Sequence, residues 1–141
     1  MASACDAIVA ERFDAGDPEG VAGLFAEATY GGEGGPVREG SEAVLAALRG
    51  AVVLHDGLPH TKHVVTNVTV DLDEAAGTAA ARSYFTVLQA RPDLPLQPII
   101  AGRYHDRFER VDGRWRFADR QIIPDLIGDL SRHLRDAARL A

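Results

Sequence analysis

The stretch from Ile99 to Asp125 constrains the fold most, because its sequence, IIAGRYHDRFERVDGRWRFADRQIIPD, predicts two long strands joined at a turn. Asp112-Gly113 between alternating apolar residues is a strong hairpin signal. Asp106 shares a strand face with Tyr104 and Phe108, since alternate residues of a strand point to the same side. An ionisable group between aromatic neighbours indicates either an exposed hairpin face or a pocket.

The length of the turn decides what lies opposite Asp106. A two-residue turn pairs Val111 with Arg114 and places Trp115 and Phe117 on the same face as Asp106. A second carboxylate then lies opposite Asp106, which is unfavourable unless one of the two holds a proton. This register also gives a consistent apolar stripe.

A three-residue loop instead pairs Arg110 with Arg114 and shifts every following side chain. Arg120 then lies diagonal to Asp106, so the carboxylate gains a cation. Trp115 and Phe117 form a separate apolar face, which we expect to be available for dimerisation. We favour this register, because it places mostly apolar residues and a few polar groups on one pocket-like face.

Three helices are predicted in the first part of the chain. Ala4 to Phe13 has apolar residues near helical spacing, and Asp17-Pro18 provides a cap and a first-turn proline for a second helix. Ser41 is the expected N-cap of a third helix. The glycine-rich segment from Gly31 to Pro36 lacks the lysine of a phosphate-binding loop and is interpreted as a connector.

Four long strands are predicted to follow the helices. Thr61 to Asp73 is β-branched and alternates, with Val64, Val68, Val70 and Leu72 on one face and His63 on the more polar one. Gly77 to Ala90 is its partner, and Pro92 to Pro98 is a loop before the hairpin. Leucines spaced four apart predict a short terminal helix: Leu126, Leu130 and Leu134. Helices followed by strands indicate an α+β domain with the helices on one face of a curved sheet.

Composition narrows the function. The 141 residues predict one domain, 1–141, and Cys5 is the single cysteine, so an intrachain disulfide is excluded. The net charge is −6, and the arginines of the last hairpin alternate with carboxylates, so we expect no nucleic-acid partner. No apolar run is long enough to span a membrane and no secretion signal is recognised, so we expect a cytoplasmic protein.

A metal site is not expected. His55, Asp56, His60 and His63 are close in sequence, but His60 and His63 are an odd number of residues apart and share no strand face. We therefore predict that the protein uses neither a metal nor another cofactor.

The chain resembles the SnoaL-like branch of the nuclear transport factor 2-like superfamily. The motifs that carry this resemblance are FDAGD at the end of the first helix, TKHVVTNV in the first long strand and GRYHDRFERVDGRWRFADR in the last hairpin. The resemblance implies a cone-shaped curved antiparallel sheet with three N-terminal helices on its concave face and a pocket inside. Scytalone dehydratase, ketosteroid isomerase and polyketide cyclases have this fold.

The resemblance also implies site residues. Asp14, His63 and Asp106 match its carboxylate, histidine and strand acid, and Tyr30 matches a pocket tyrosine of scytalone dehydratase. Phe13 marks a departure, because the dehydratases carry a tyrosine on the first helix. The predicted substrate-binding residues are Tyr104, Tyr30, Phe13, Ile122 and Phe108.

The function predicted from the sequence is a cofactor-independent cyclase, isomerase or dehydratase of an apolar oxygenated small molecule, working as a homodimer. In this hypothesis Asp106 transfers the proton and His63 assists it. Arg120 orients Asp106 or polarises a carbonyl, and Tyr104 or Tyr30 binds an oxyanion. Each role has a structural alternative: an Asp106–Arg120 ion pair, a solvent-facing His63 and a helix-capping Asp14. The rival function is a non-catalytic accessory subunit, since the hairpin also resembles the small subunit of ring-hydroxylating dioxygenases.

Overall fold

A computed structural model describes residues 2–137, apart from the side chain of residue 3. Its elements are α1 (Ala2–Asp14), α2 (Pro18–Gly23), β1 (Thr29–Gly32), β2 (Val37–Glu39), α3 (Gly40–Ala51), β3 (Thr61–Asp73), β4 (Thr78–Arg91), β5 (Leu94–Val111) and β6 (Arg114–Ile127). The strands form one six-stranded sheet in the order β2-β1-β6-β5-β4-β3. The α+β class is confirmed. None of the helices in this described part has the length and apolar character needed to cross a membrane.

The helices begin where local chemistry favours them. The side chain of Asp17 caps α2 by accepting a hydrogen bond from the Gly20 amide at 2.9 Å, and Pro18 occupies the first turn. Helix α3 begins at Gly40, one residue before the predicted cap Ser41, and Glu39 at its N-cap makes no side-chain bond. Packing of its buried face therefore stabilises α3 more than capping does.

Strands β1 and β2 were missed because they are short and rich in glycine and polar residues. Thr29–Gly32 pairs in parallel with residues 119–122 of β6 and antiparallel with β2. The predicted connector from Gly31 to Pro36 therefore shrinks to residues 33–36. Tertiary pairing overrides weak local preference here, and it brings Tyr30 beside Arg120 in the sheet.

The last hairpin has the two-residue turn, so the favoured three-residue register is wrong. Asp112 and Gly113 both have positive φ, and Val111 pairs with Arg114. The two-residue turn was expected to put a second carboxylate opposite Asp106. A β-bulge in β6 prevents this. Because Phe108 pairs with Phe117 while residue 107 pairs with residue 119, the bulge shifts the register and puts Arg120 directly opposite Asp106.

The predicted exposed face of Trp115 and Phe117 is also wrong. Phe117 is 2% exposed and packs on Phe25 and Phe108 in the core between helices and sheet. Trp115 is half-buried, with the guanidinium of Arg110 over its ring. A Trp115–Phe117 face is therefore not available for dimerisation.

Two further predictions are wrong. Strand β5 already begins at Leu94, so most of the segment from Pro92 to Pro98 is strand and not loop. The terminal helix does not form through Leu126 and Leu130, since β6 runs to Ile127, residues 128–130 are irregular and residues 131–136 form turns and a bridge. These turns fold back on the sheet, where Leu130 is buried with Ile99.

Strand β3 does not keep Val64, Val68, Val70 and Leu72 on one face as predicted, because Val68 packs against the core. Val64, Val70 and Leu72 are exposed, whereas His63 and Val65 point toward the interior. A register irregularity between residues 66 and 69, with Asn67 at a positive φ, interrupts the alternation along the strand. His63 therefore points into the protein, and the solvent-facing alternative for this residue does not hold.

Candidate active site

A cavity of about 310 Å³ lies between the helices and the concave face of the sheet. This volume is at the small end of the range of ligand pockets, about 300–1,000 Å³. Its wall is mostly apolar, with side chains such as Val9, Phe13, Val65, Phe85, Ile100 and Ile122. The polar side chains described next form two clusters, one around His63 and one around Arg120.

The first group is a histidine held by a carboxylate. Asp14, the last residue of α1, accepts a hydrogen bond from Nδ1 of His63 at 2.6 Å and another from the His63 backbone amide at 2.8 Å. Thr61 donates its hydroxyl to the same carboxylate at 2.8 Å. Three donors therefore fix Asp14, and Asp14 fixes the ring, so that Nε2 is the nitrogen that can exchange a proton with a ligand.

The Asp14–His63 pair is partly accessible, and its carboxyl group is ionised. Their side chains are 12% and 11% exposed, and the ring of Phe13 lies 4.5 Å from that of His63, measured between centroids. Burial by itself raises the pKa of Asp14, but the hydrogen bonds and charge of His63 outweigh it and lower the pKa below the ordinary value. Asp14 is therefore an ionised partner that can stabilise an imidazolium.

The second group is a buried cluster of two carboxylates and one arginine. Arg120 donates through Nε and Nη2 to the two oxygens of Asp106, both at 2.8 Å, and through Nη2 to Asp6 of α1. Each of the three residues is 2% exposed. The guanidinium also stacks on the ring of Tyr104, 3.8 Å from its centroid. The two guanidinium nitrogens of Arg120 that face Asp106 therefore already donate hydrogen bonds to this carboxylate.

The cluster has two carboxylates and only one cation, so its charges do not balance, and the pKa of Asp6 responds to this imbalance. Burial raises the pKa of Asp6 to about 6; Arg120 opposes this shift and Asp106 adds to it. Burial alone would lower the pKa of Arg120, but the hydrogen bonds and charge of Asp106 raise it above the ordinary value. Burial also raises the pKa values of Tyr30 and Tyr104, so both phenols keep their protons.

The structure separates the predicted site residues into two sets. Those that line the cavity are His63, Arg120, Tyr104, Tyr30, Phe13 and Ile122. Asp106 lies behind Arg120 and Phe108 lies in the core against Phe117, so neither belongs to the wall. The geometry of Asp106 is that of the ion-pair alternative. Asp14 contacts the cavity through His63, and the helix-capping alternative does not describe its bonds.

Sequence reasoning missed two buried ionisable residues of the wall, Asp6 and His133. Asp6 is three residues before Val9 and seven before Phe13, a spacing that puts all three on one face of α1. That signal was present in the sequence. His133 gave no such signal, because the turns after β6 that carry it have no periodic pattern.

Within residues 2–137 no three potential ligands come together as a metal site. Nε2 of His55 lies 2.9 Å from the carbonyl oxygen of Arg132, and the ring of His60 is 6.1 Å from that of His55 between centroids. His63 is committed to Asp14. The histidines that are close in sequence thus have separate surroundings.

Comparison with known proteins identifies the class. Residues 9–121 match the SnoaL-like domain family, and the chain belongs to this family. The resemblance drawn from its motifs is confirmed. No curated protein sequence matches the chain.

Solved structures show the same cone-shaped fold. Three of them are proteins of Novosphingobium aromaticivorans. A nuclear transport factor 2-like protein with a cystatin-like fold is 20% identical, with 92% of this chain and 82% of that chain covered and a TM-score of 0.72. A proposed scytalone dehydratase is 21% identical, with 91% of this chain and 84% of that chain covered and a TM-score of 0.73, and the β subunit of a proposed aromatic-ring-hydroxylating dioxygenase is 20% identical, with 89% and 88% covered and a TM-score of 0.71. At these identities the likeness establishes the fold alone.

Proposed function

We propose that the protein is a cofactor-independent acid/base enzyme that cyclises, isomerises or dehydrates an apolar, oxygenated small molecule. The observation that carries this proposal is His63 on the wall of an apolar cavity, with its Nδ1 bonded to the partly buried carboxylate of Asp14. This arrangement supplies an oriented base and a partner for the charge that the base acquires. It replaces the sequence-based hypothesis in which Asp106 transferred the proton.

The chemistry common to the three reactions is removal of a proton from carbon next to a carbonyl group. Nε2 of His63 takes the proton, and the electrons of the C–H bond form the enolate. Asp14 stabilises the imidazolium through Nδ1. The imidazolium then returns a proton to carbon or to a leaving oxygen, so the histidine is regenerated in each cycle.

The substrate class follows from the wall. An apolar skeleton is bound by side chains such as Val65, Phe85 and Ile100, and the protonated phenols of Tyr30 and Tyr104 can donate hydrogen bonds to ligand oxygens. A polyketide- or terpenoid-like metabolite of secondary metabolism has this character. A cavity of 310 Å³ limits the ligand to a compact one.

A simple exchange reaction tests the proposal. 2-Tetralone is an apolar bicyclic ketone whose protons next to the carbonyl exchange with deuterium oxide, and proton NMR follows their loss. We expect the protein to accelerate this exchange and His63→Gln to lower the acceleration by roughly 10²- to 10⁴-fold. His105→Gln is the matched control, because residue 105 alternates with the inward-facing Tyr104 on β5. Equal exchange by wild type and His63→Gln would rule out the proposed role of His63.

The rival function, a non-catalytic accessory subunit, makes the opposite prediction. An accessory subunit would show no exchange of 2-tetralone that depends on His63, whether or not it binds the ketone.

The homodimer also stays a prediction, now without the Trp115–Phe117 face. Sedimentation at high concentration measures it, and a monomer there would remove it.

A further inference from the structure

The cavity contains a second histidine, His133, which lies outside the residues that match the family, 9–121. It is 5% exposed. Its ring centroid is 5.8 Å from that of Phe13 and 6.5 Å from that of His63, and the two imidazoles meet edge to face. Two histidines from distant parts of the chain therefore line the same cavity as neighbours.

The backbone around His133 is fixed at several points. The Val53 amide donates to the carbonyl of His133 at 2.8 Å, and the Arg135 amide donates to the carbonyl of Ala51 at 2.9 Å. The side-chain amide of Gln89 donates to the carbonyl of Arg132 at 3.0 Å. The ring is thus held against the cavity by a segment bonded to the end of α3 and to β4.

The two histidines have different partners. His63 is bonded to Asp14, whereas Nδ1 of His133 is buried and has no hydrogen-bond partner among the described residues. Burial lowers the pKa of His133 to about 4, and the charge of His63 adds to this effect while Asp14 opposes it. At neutral pH the His133 ring is neutral and carries one N–H donor and one free lone pair.

We propose that His133 is a second catalytic residue, whose neutral imidazole donates a hydrogen bond to the carbonyl oxygen of an enolisable ketone while His63 takes the proton from the adjacent carbon. The proposal rests on the proposed function and adds to it a substrate class and a second residue that touches the substrate. In the step, the C–H electron pair becomes the carbon–carbon double bond of the enolate, and the carbonyl π pair moves to oxygen. The oxygen then accepts the hydrogen bond from His133.

A neutral imidazole suits this role. A donor aimed at an oxygen that gains charge stabilises the transition state more than the ground state. Because His133 is neutral, it leaves the positive charge on His63, where Asp14 lies. Two groups with separated proton affinities thus divide the work of base and hydrogen-bond donor.

The kinetic test uses two variants of His133 and the exchange of 2-tetralone. His133→Phe keeps an aromatic ring against Phe13 but removes the donor, and we expect exchange at saturating ketone to fall by about 10²- to 10³-fold. His133→Gln keeps an N–H donor and should retain more of the rate, with KM changed less than kcat in both. A His133→Phe variant that folds and exchanges at the wild-type rate would overturn the proposal.

A binding test separates a catalytic role from packing. 2-Naphthol resembles the planar enol of 2-tetralone, whereas naphthalene has the same rings without oxygen. Calorimetry should show that His133→Phe lowers the affinity for 2-naphthol by about 3- to 10-fold, as expected for the loss of one neutral hydrogen bond. The affinity for naphthalene should stay unchanged. An equal loss for both ligands, or binding of neither by wild type, would contradict the proposal. Exchange that needs His63 but not His133 would remove this inference and keep the proposed function.

Discussion

Helix α1 carries two carboxylates that bond to the sheet, Asp6 and Asp14, and their environments differ. Asp6 and Asp14 are eight residues apart, which is about 12 Å along a helix. Asp6 belongs to the closed cluster with Arg120 and Asp106, at 2% exposure. Asp14 holds His63, whose ring reaches the cavity. The difference teaches that a buried ion cluster organises the fold, while a carboxylate that orients an accessible base can serve chemistry.

The largest expected effect is the loss of the cation in the closed cluster. Arg120→Met leaves the carboxylates of Asp6 and Asp106 buried without a positive partner, which should cost about 3–5 kcal/mol of unfolding free energy. Chemical denaturation measures it. The control is Arg116→Met on the same strand, where the half-exposed pair with Glu109 is worth less than about 1 kcal/mol. Similar losses in both variants would show that the enclosed cluster has no special structural role.

The next effect is the pH dependence of stability that Asp6 imposes. Its folded pKa of about 6 lies above the ordinary aspartate pKa of 3.8, so between these values the folded state holds a proton that the unfolded state has released. Stability from this group is therefore present at low pH and declines as pH rises through 6, by on the order of 3 kcal/mol. Asp6→Asn should remove this decline, as denaturation at pH 4 to 8 can measure. A variant with the wild-type profile would contradict the assignment.

Asp14 should show a smaller effect of the opposite sign. Its folded pKa is lowered, so its contribution is present above the unfolded pKa and is lost as pH falls through the folded value. Asp14→Asn should therefore lose less stability than wild type on acidification below pH 4. Denaturation extended from pH 4 down to pH 2 measures it, and an Asp14→Asn variant that loses as much stability as wild type over this range would contradict the assignment.

The fold was largely predictable, because long alternating strands and the Asp112-Gly113 turn carry strong local signals. The register at Asp106 was not. The bulge in β6, which puts Arg120 opposite Asp106, depends on Phe117 packing against Phe25, a contact between distant parts of the chain. Local pairing rules cannot anticipate such a compensation.

The candidate site was predictable in part for the same reason. Asp14 and His63 were found through the family resemblance, but their bond joins the end of α1 to the start of β3 and no spacing predicts it. Asp106 ranked first from its strand neighbours, because the sequence does not show that Arg120 uses both of its oxygens. His133 lies in turns without a pattern. Enclosure by tertiary contacts decides which ionisable groups a ligand can reach.

The most direct test compares the same substitution at the two ends of α1. Asp14→Asn and Asp6→Asn each neutralise one carboxylate, and the deuterium exchange of 2-tetralone is measured for both. The account predicts that Asp14→Asn lowers the exchange by about 10²-fold or more, because His63 loses the partner of its imidazolium, whereas Asp6→Asn stays within a few-fold of wild type. Exchange that is lost in Asp6→Asn and kept in Asp14→Asn would place the chemistry at the Arg120 cluster and contradict the account.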